Sequence, residues 1–200
     1  MVTFDFNKDY ILENDTARLG PLELDHITDL QSISDESSIW TYFLENGQGI
    51  GNLTPYIHTA VENRKQGREY PFVVYDKRRN RYAGLTRLYE WNEDLRTVKL
   101  GHTWYGKDFQ GTGLNKHCKY LLFEFAFEQL EAFRIGFGVH GENVRSLRAL
   151  ASVGCKKEGV LRDFLWKVDG QDRTDLILLS ILKKEWQETI KEELALKIKY

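Results

Sequence analysis

The stretch whose reading decides the fold runs Thr97-Val-Lys-Leu-Gly-His-Thr-Trp-Tyr105, then Gly106-Lys-Asp-Phe-Gln-Gly-Thr-Gly-Leu-Asn115, then an amphipathic run from Lys116 to Glu131. The first part predicts a strand, Val98 to Tyr105, and the second a loop with glycines at 111 and 113. In the third, Leu114, Cys118, Leu121, Leu122, Phe125 and Leu130 fall on one stripe with helical periodicity. Phe123 and Phe127 widen that stripe, which implies burial on two sides, as when a helix packs on a sheet. A strand, a glycine loop and a helix start aim several backbone N–H groups and a helix dipole at one spot. The expected occupant is a phosphate or pyrophosphate.

Moving outward, Tyr70 to Tyr75 and Tyr82 to Trp91 are rich in aromatic and β-branched residues around the turn Asp76 to Asn80. They predict an antiparallel hairpin, with Val98 to Tyr105 as the third strand of a meander. Upstream, Ala17 to Leu24 reads as a first strand, and Asp25 or Thr28 caps a short helix through Ile33. The glycines at 47, 49 and 51 predict a mobile loop after a helix end, and Thr54-Pro55 predicts a helix opening there and running to about Gln66. Downstream, a strand is expected over Arg134 to His140 and a helix over Asn143 to Val153, ended by Gly154. A second hairpin, Val160 to Val168 and Thr174 to Leu182, turns at Asp169-Gly170. From Lys183 on, Trp186, Ile190, Leu194 and Ile198 stand four apart and predict a helix that docks on the domain or on a dimer partner.

The glycine loop fits neither common nucleotide motif. A P-loop ends in Gly-Lys-Ser or Gly-Lys-Thr, whereas Leu114-Asn115 follows here. A dinucleotide fold requires parallel strands and an acidic residue on the next one, where Arg134-Ile135-Gly136 stands. Composition narrows the class further. Two hundred residues, 42% hydrophobic and 29% charged, suit one soluble mixed α/β domain over 1–200. A net charge of −2 gives no general reason to bind nucleic acid. No apolar run approaches the ~18–20 residues of a membrane span, and Met1 to Tyr10 shows no secretory leader. Cys118 and Cys155, alone and far apart, fit a reducing cytoplasm. The histidines at 26, 58, 102, 117 and 140 have no metal-ligand spacing, so no metal is expected.

Five features in order carry a resemblance: Gly111-Thr112-Gly113; Ala126-Phe127-Glu128 with Arg134; Asn143-Val144-Arg145-Ser146 with Val153-Gly154; Glu158-Gly159-Val160-Leu161-Arg162; and Asp169-Gly170 ahead of Glu185-Trp186. Together they resemble the GCN5-related N-acetyltransferase (GNAT) family, in its branch similar to bacterial ribosomal-protein N-terminal (RimJ/RimL-type) acetyltransferases. The resemblance spans about 17–186 and leaves a helical extension over 183–199. Asp108 departs from the family pattern, which has Arg or Gln there. The resemblance implies a mainly antiparallel sheet flanked by helices and acetyl-CoA as cosubstrate. It places the pyrophosphate on the amides of Gln110, Gly111, Thr112, Gly113, Leu114 and Asn115, and the pantetheine along Trp104 and Tyr105. Asn143 matches the asparagine that bonds the pantetheine arm, and is equally a helix N-cap. Ser146 matches a hydroxyl near the sulfur. The Trp104 side chain and Cys155 read as core.

The implied activity is acetyl transfer to a primary amine by direct attack in a ternary complex, with no covalent enzyme intermediate. An acyl-CoA-binding module without turnover is the alternative, motivated by Lys99, Asp108 and Leu165 departing from the family pattern. For the base, His102 is the first candidate by its ordinary titration range, with Tyr105 as acid and Glu90 as a further option. The acceptor is expected to be a protein N-terminus or a small amine, received by the region Trp40 to Arg68.

Overall fold

The computed structural model describes residues 3–199; Met1 and Val2, the start of the stretch read for a leader, and Tyr200 lie outside them. Eight strands form one sheet: β1 (Leu12–Glu13), β2 (Ala17–Pro21), β3 (Glu69–Asp76), β4 (Arg81–Asn92), β5 (Thr97–Tyr105), β6 (Arg134–His140), β7 (Lys156–Trp166) and β8 (Arg173–Leu182). Their spatial order is β1-β2-β3-β4-β5-β6-β8-β7, and only β5 and β6 run parallel. The expected meander and the later hairpin are both present.

Strand alternation divides the core in two. Phe72, Val74, Leu88, Val98, Leu100 and Tyr105 face a cluster made with α4 (Leu114–Glu124) and the π-helical turn Phe125–Gln129 that extends it. Leu150 and Val153, at the end of α5 (Val144–Ser152), join the same cluster. Val73, Leu85 and Trp104 face the opposite way. They pack against α1 (His26–Ser34), α2 (Ser37–Trp40) and α3 (Gly49–Lys65) through Leu30, Trp40, Leu53, Tyr56 and Ile57.

Two expectations are corrected. The helix expected to open at Thr54-Pro55 begins at Gly49, so Pro55 lies inside α3, where it removes only the bond to the Gly51 carbonyl. The loop expected before α3 is packed against Trp40 rather than open. Gly47 is buried so tightly against the Trp40 ring that a Cβ there would lie 2.4 Å from it, and the Gln48 side-chain amide donates to the Asp35 carbonyl at 3.1 Å.

The C-terminal segment docks on its own chain. It comprises α6 (Lys183–Glu185), a π-helical turn Trp186–Ile190 and α7 (Lys191–Lys197). Trp186 is fully buried, packs edge-on to Phe123, and donates through Nε1 to the Glu128 carboxylate at 2.9 Å. Lys191 reaches the same carboxylate at 2.7 Å.

Candidate active site

The site begins where the sheet opens. β5 and β6 pair only at Thr97, Val98 and Lys99 with Arg134, Ile135 and Gly136. Beyond that point β6 continues from Phe137 to His140 with β8 alone, and β5 from Gly101 to Tyr105 with β4 alone. The two strands therefore splay into a fork whose inner edges keep unpaired backbone groups. Such edges bond to an extended ligand as a further strand would.

The glycine loop and α4 stand at the mouth of this fork. Gly111 and Gly113 have φ of 73° and 87°, a region open chiefly to glycine, and a Cβ on either would meet nothing within 4 Å. These glycines are thus required by backbone conformation, and the space beside them is open. The N–H groups of Gly111, Thr112, Gly113 and Asn115 donate to no protein acceptor among the described residues. That is the arrangement an anion needs at a helix start.

Neighbouring side chains fix the loop. Gln110 Nε2 donates to the Tyr105 carbonyl at 2.8 Å, and Arg145, at the start of α5, donates to Gln110 Oε1. Thr112 Oγ1 donates to the Phe109 carbonyl at 2.8 Å. Arg78, from the β3–β4 turn, donates to the Thr112 carbonyl at 3.3 Å, while Arg79 and Arg81 lie over the Phe109 ring. Sequence reasoning treated that turn as a connection only. The structure brings two of its cations, and Arg81 at the start of β4, to the loop, while Asp108, the departure from the family pattern, is exposed.

At the other side of the fork Asn143 caps α5. Its Oδ1 accepts from the Ser146 N–H at 3.0 Å, and the Asn143 side-chain NH2 donates to no protein group among the described residues. The Ser146 hydroxyl is half-buried and donates to no protein group among the described residues. Cys155 is a buried thiol pushed up to about 12 by burial, which suits a core residue.

His102 sits on a β-bulge. Leu85 opposes Trp104 and Arg87 opposes Gly101, so Thr86 alone faces both His102 and Thr103. The extra residue reverses the alternation along β5. Thr103 and Tyr105 share the α4 face with Val98 and Leu100, while His102 and Trp104 turn to the α1–α3 face. His102 adopts φ 48°, uncommon outside glycine. Its ring lies edge-on to Tyr89, and burial with the nearby Arg87 charge holds it down to about 4. The other two candidates face elsewhere. The Tyr105 hydroxyl donates to Asn115 Oδ1 at 3.3 Å on the α4 face and is raised well above its usual range by burial. Glu90 pairs with Lys99 at 2.6 Å, both well exposed.

The α1–α3 face holds a group that sequence reasoning missed. Arg87 is 2% exposed, pairs with Glu69 at 3.0 Å, and lies 4.4 Å from the Tyr56 ring centroid. Arg87 Nε and Nη2, Tyr56 Oη and Trp104 Nε1 are buried without a hydrogen-bond partner among the described residues. An arginine inside a strand otherwise rich in apolar residues was the available signal. Among the described residues no cluster of three His, Cys, Asp or Glu side chains is placed to hold a metal ion, and no helix is long and apolar enough to cross a membrane.

A strand fork with a glycine loop and a helix start at its mouth is a site for an extended ligand that carries a phosphate group. Residues 17–156 match the family model described as an acetyltransferase (GNAT) domain. YdaF of Bacillus subtilis, provisionally described as a ribosomal N-acetyltransferase, is 32% identical over 153 residues, covering 74% of this chain and 79% of its own. A GCN5-related N-acetyltransferase from Brucella melitensis superposes with a TM-score of 0.85 at 23% identity, over 94% of this chain and 85% of that one. Mycobacterium smegmatis RimJ, solved in complex with CoA-disulfide, superposes with a TM-score of 0.77 at 20% identity, over 94% and 93%. The chain belongs to the GNAT family and is an N-acetyltransferase.

Proposed function

We propose that residues 1–200 act as one N-acetyltransferase domain, carrying a C-terminal helical extension, that transfers the acetyl group of acetyl-CoA to a primary amine by direct attack in a ternary complex. The observation that carries this reading is the fork between β5 and β6 with its glycine loop. It offers unpaired backbone along the length of an extended arm and free N–H groups at its mouth. Acetyl-CoA supplies an activated acyl group. The residues that would hold it are Gln110, Gly111, Thr112, Gly113, Leu114 and Asn115 at the pyrophosphate, with Trp104, Tyr105 and Asn143 along the arm. The RimJ complex with CoA-disulfide supports the assignment of the fork to CoA.

The chain's own chemistry follows from where its groups stand. Backbone N–H groups of the β5 segment lining the fork polarise a thioester carbonyl placed against them. The Ser146 hydroxyl serves the departing sulfur. His102, neutral at any pH near 7, orients the amine or a water as a hydrogen-bond acceptor, and its low affinity for protons makes it a weak base. The acceptor enters from the α1–α3 face, where Trp40 and Tyr56 pack beside Trp104 at the end of the bulge. The similarity to YdaF favours a protein N-terminus as acceptor, with small amines as the second class. The site is one of a cytoplasmic enzyme, as the two free thiols suggest.

The test is thiol release from acetyl-CoA with a panel of N-terminal peptides and small amines, alongside calorimetric CoA binding. Release dependent on an amine is expected. CoA binding with no release across the panel would establish the binding module without turnover instead, and absence of CoA binding would overturn both.

A further inference from the structure

Lys119 is the one feature of the fork that the reading above leaves unused. It projects from α4 toward the sheet and is 4% exposed. Its Nζ lies 3.3 Å from Thr103 Oγ1 on β5 and 5.9 Å from the centre of the Phe137 ring on β6. Both residues lie beyond the last β5–β6 pair, so the ammonium bridges the two strands where they have parted. Thr103 Oγ1 is also 2.7 Å from Thr86 Oγ1, so this single protein acceptor is shared.

A lysine in such surroundings normally has a carboxylate. Among the described residues no carboxylate pairs with Lys119; the ionisable groups that act on it are the Cys118 and Cys155 thiols. Both thiols are held protonated by burial, and the Tyr105 hydroxyl beyond Cys118 is too. An ammonium with one shared acceptor is a burden to the fold. A ligand oxygen in the fork would remove the burden.

We propose that the Lys119 ammonium donates to a carbonyl oxygen of the acyl-pantetheine arm lying between β5 and β6. The inference rests on the fork being the acetyl-CoA site. Six residues of helix separate Lys119 from Gly113, roughly 9 Å along the axis. An extended arm running down the fork from a pyrophosphate at the loop carries its amide carbonyls over that length, with the thioester carbonyl further on. All are neutral acceptors that a cation serves better than Thr103 alone. Burial holds Lys119 down to about 8, so its charge is present at neutral pH and lost over a range accessible to experiment.

The experiment measures binding by calorimetry for acetyl-CoA, CoA and 3′,5′-ADP, to the wild type and to Lys119→Met, at pH 7 and through pH 9.5. Methionine matches the volume and removes the buried charge, so the variant is expected to fold with an unfolding temperature no lower than wild type. Its acetyl-CoA affinity at pH 7 should fall about tenfold, the loss of a hydrogen bond to a charged group, with 3′,5′-ADP unchanged. Wild-type acetyl-CoA affinity should weaken as pH rises through about 8, and this slope should vanish in the variant. Loss for acetyl-CoA and CoA alike assigns a pantetheine amide; loss for acetyl-CoA alone assigns the thioester. Equal affinity and equal pH slope in both proteins would overturn the inference. A parallel loss for 3′,5′-ADP would also overturn it, since the lysine would then merely support the loop. If wild type binds no CoA, the acetyl-CoA reading itself fails. Should Lys119→Met not fold, a flat wild-type pH series for acetyl-CoA overturns the inference unaided.

Discussion

The two faces of β5 do opposite things with their polar groups. At the fork, the groups offered to a ligand are largely main-chain: open strand edges, and N–H donors at Gly111, Thr112, Gly113 and Asn115. On the α1–α3 face they are side chains contributed by several elements, Arg87, Tyr56 and Trp104 buried and His102 half-buried. The first arrangement is sequence-tolerant, because any residue provides an N–H and only the φ values demand glycine. The second is specific, because each donor belongs to one side chain.

The sharpest way to break the comparison is to strip a counter-charge from the α1–α3 face. Glu69→Ala leaves the Arg87 guanidinium buried beneath Tyr56 without the one carboxylate that pairs with it among the described residues. Breaking a buried pair in this way costs about 3–5 kcal/mol. Chemical denaturation should show a loss of that size, and a loss under 1 kcal/mol would mean that the face opens to water. The fork has no equivalent single point of failure. Gly111→Val forces a β-branched residue to φ near 73° in a loop where a Cβ meets nothing. The strain is about 1–3 kcal/mol, and reshaping the loop should weaken CoA by tenfold or more with the sheet intact. Unchanged CoA affinity in a folded variant would remove the loop as the phosphate site. Asn143→Ala is milder. It removes the α5 cap, worth about 1 kcal/mol of stability, and it should lower CoA affinity together with unfolding temperature. A lower unfolding temperature with unaltered CoA affinity would confine Asn143 to capping.

The same contrast explains what the sequence disclosed. The meander, the glycine loop, α4 and α5 were legible because local rules govern them: periodicity, turn residues and a capping asparagine at 143. The order of strand, loop and helix disclosed the phosphate cradle, but the fork beside it follows from where the β5–β6 pairing stops, which no local rule announces. The α1–α3 face was not legible, since Glu69, Arg87, Tyr56 and Trp104 come from four elements and meet only in the tertiary structure. The same holds for the arginines of the β3–β4 turn, whose approach to Thr112 depends on a distant loop. The bulge at His102 also escaped notice. Strict alternation would have put Val98, Leu100, His102 and Trp104 on one face, and nothing local announces the extra residue. Pro55 misled in a simpler way, because a proline at a helix start is common and one in the seventh position of α3 is tolerated here.

The smallest effect is expected at His102, and it separates orientation from proton transfer. A general base of ordinary strength contributes roughly 10²–10⁴-fold. His102→Gln keeps a hydrogen-bond acceptor and discards the titration, so turnover at pH 7.5 should fall by less than about tenfold on that scale. A fall of a hundredfold would restore the histidine as the base. Stability supplies an independent check. The ring titrates at about 4 in the folded protein against 6.5 as a free group, so between those values the unfolded chain binds the extra proton. Wild-type stability should therefore drop as pH falls from 6.5 towards 4, and His102→Gln should lose that part of the acid sensitivity. Equal acid profiles for the two proteins would mean that the ring is not held neutral. The distinction between a face that binds by backbone and one that selects by side chains would then have to exclude it.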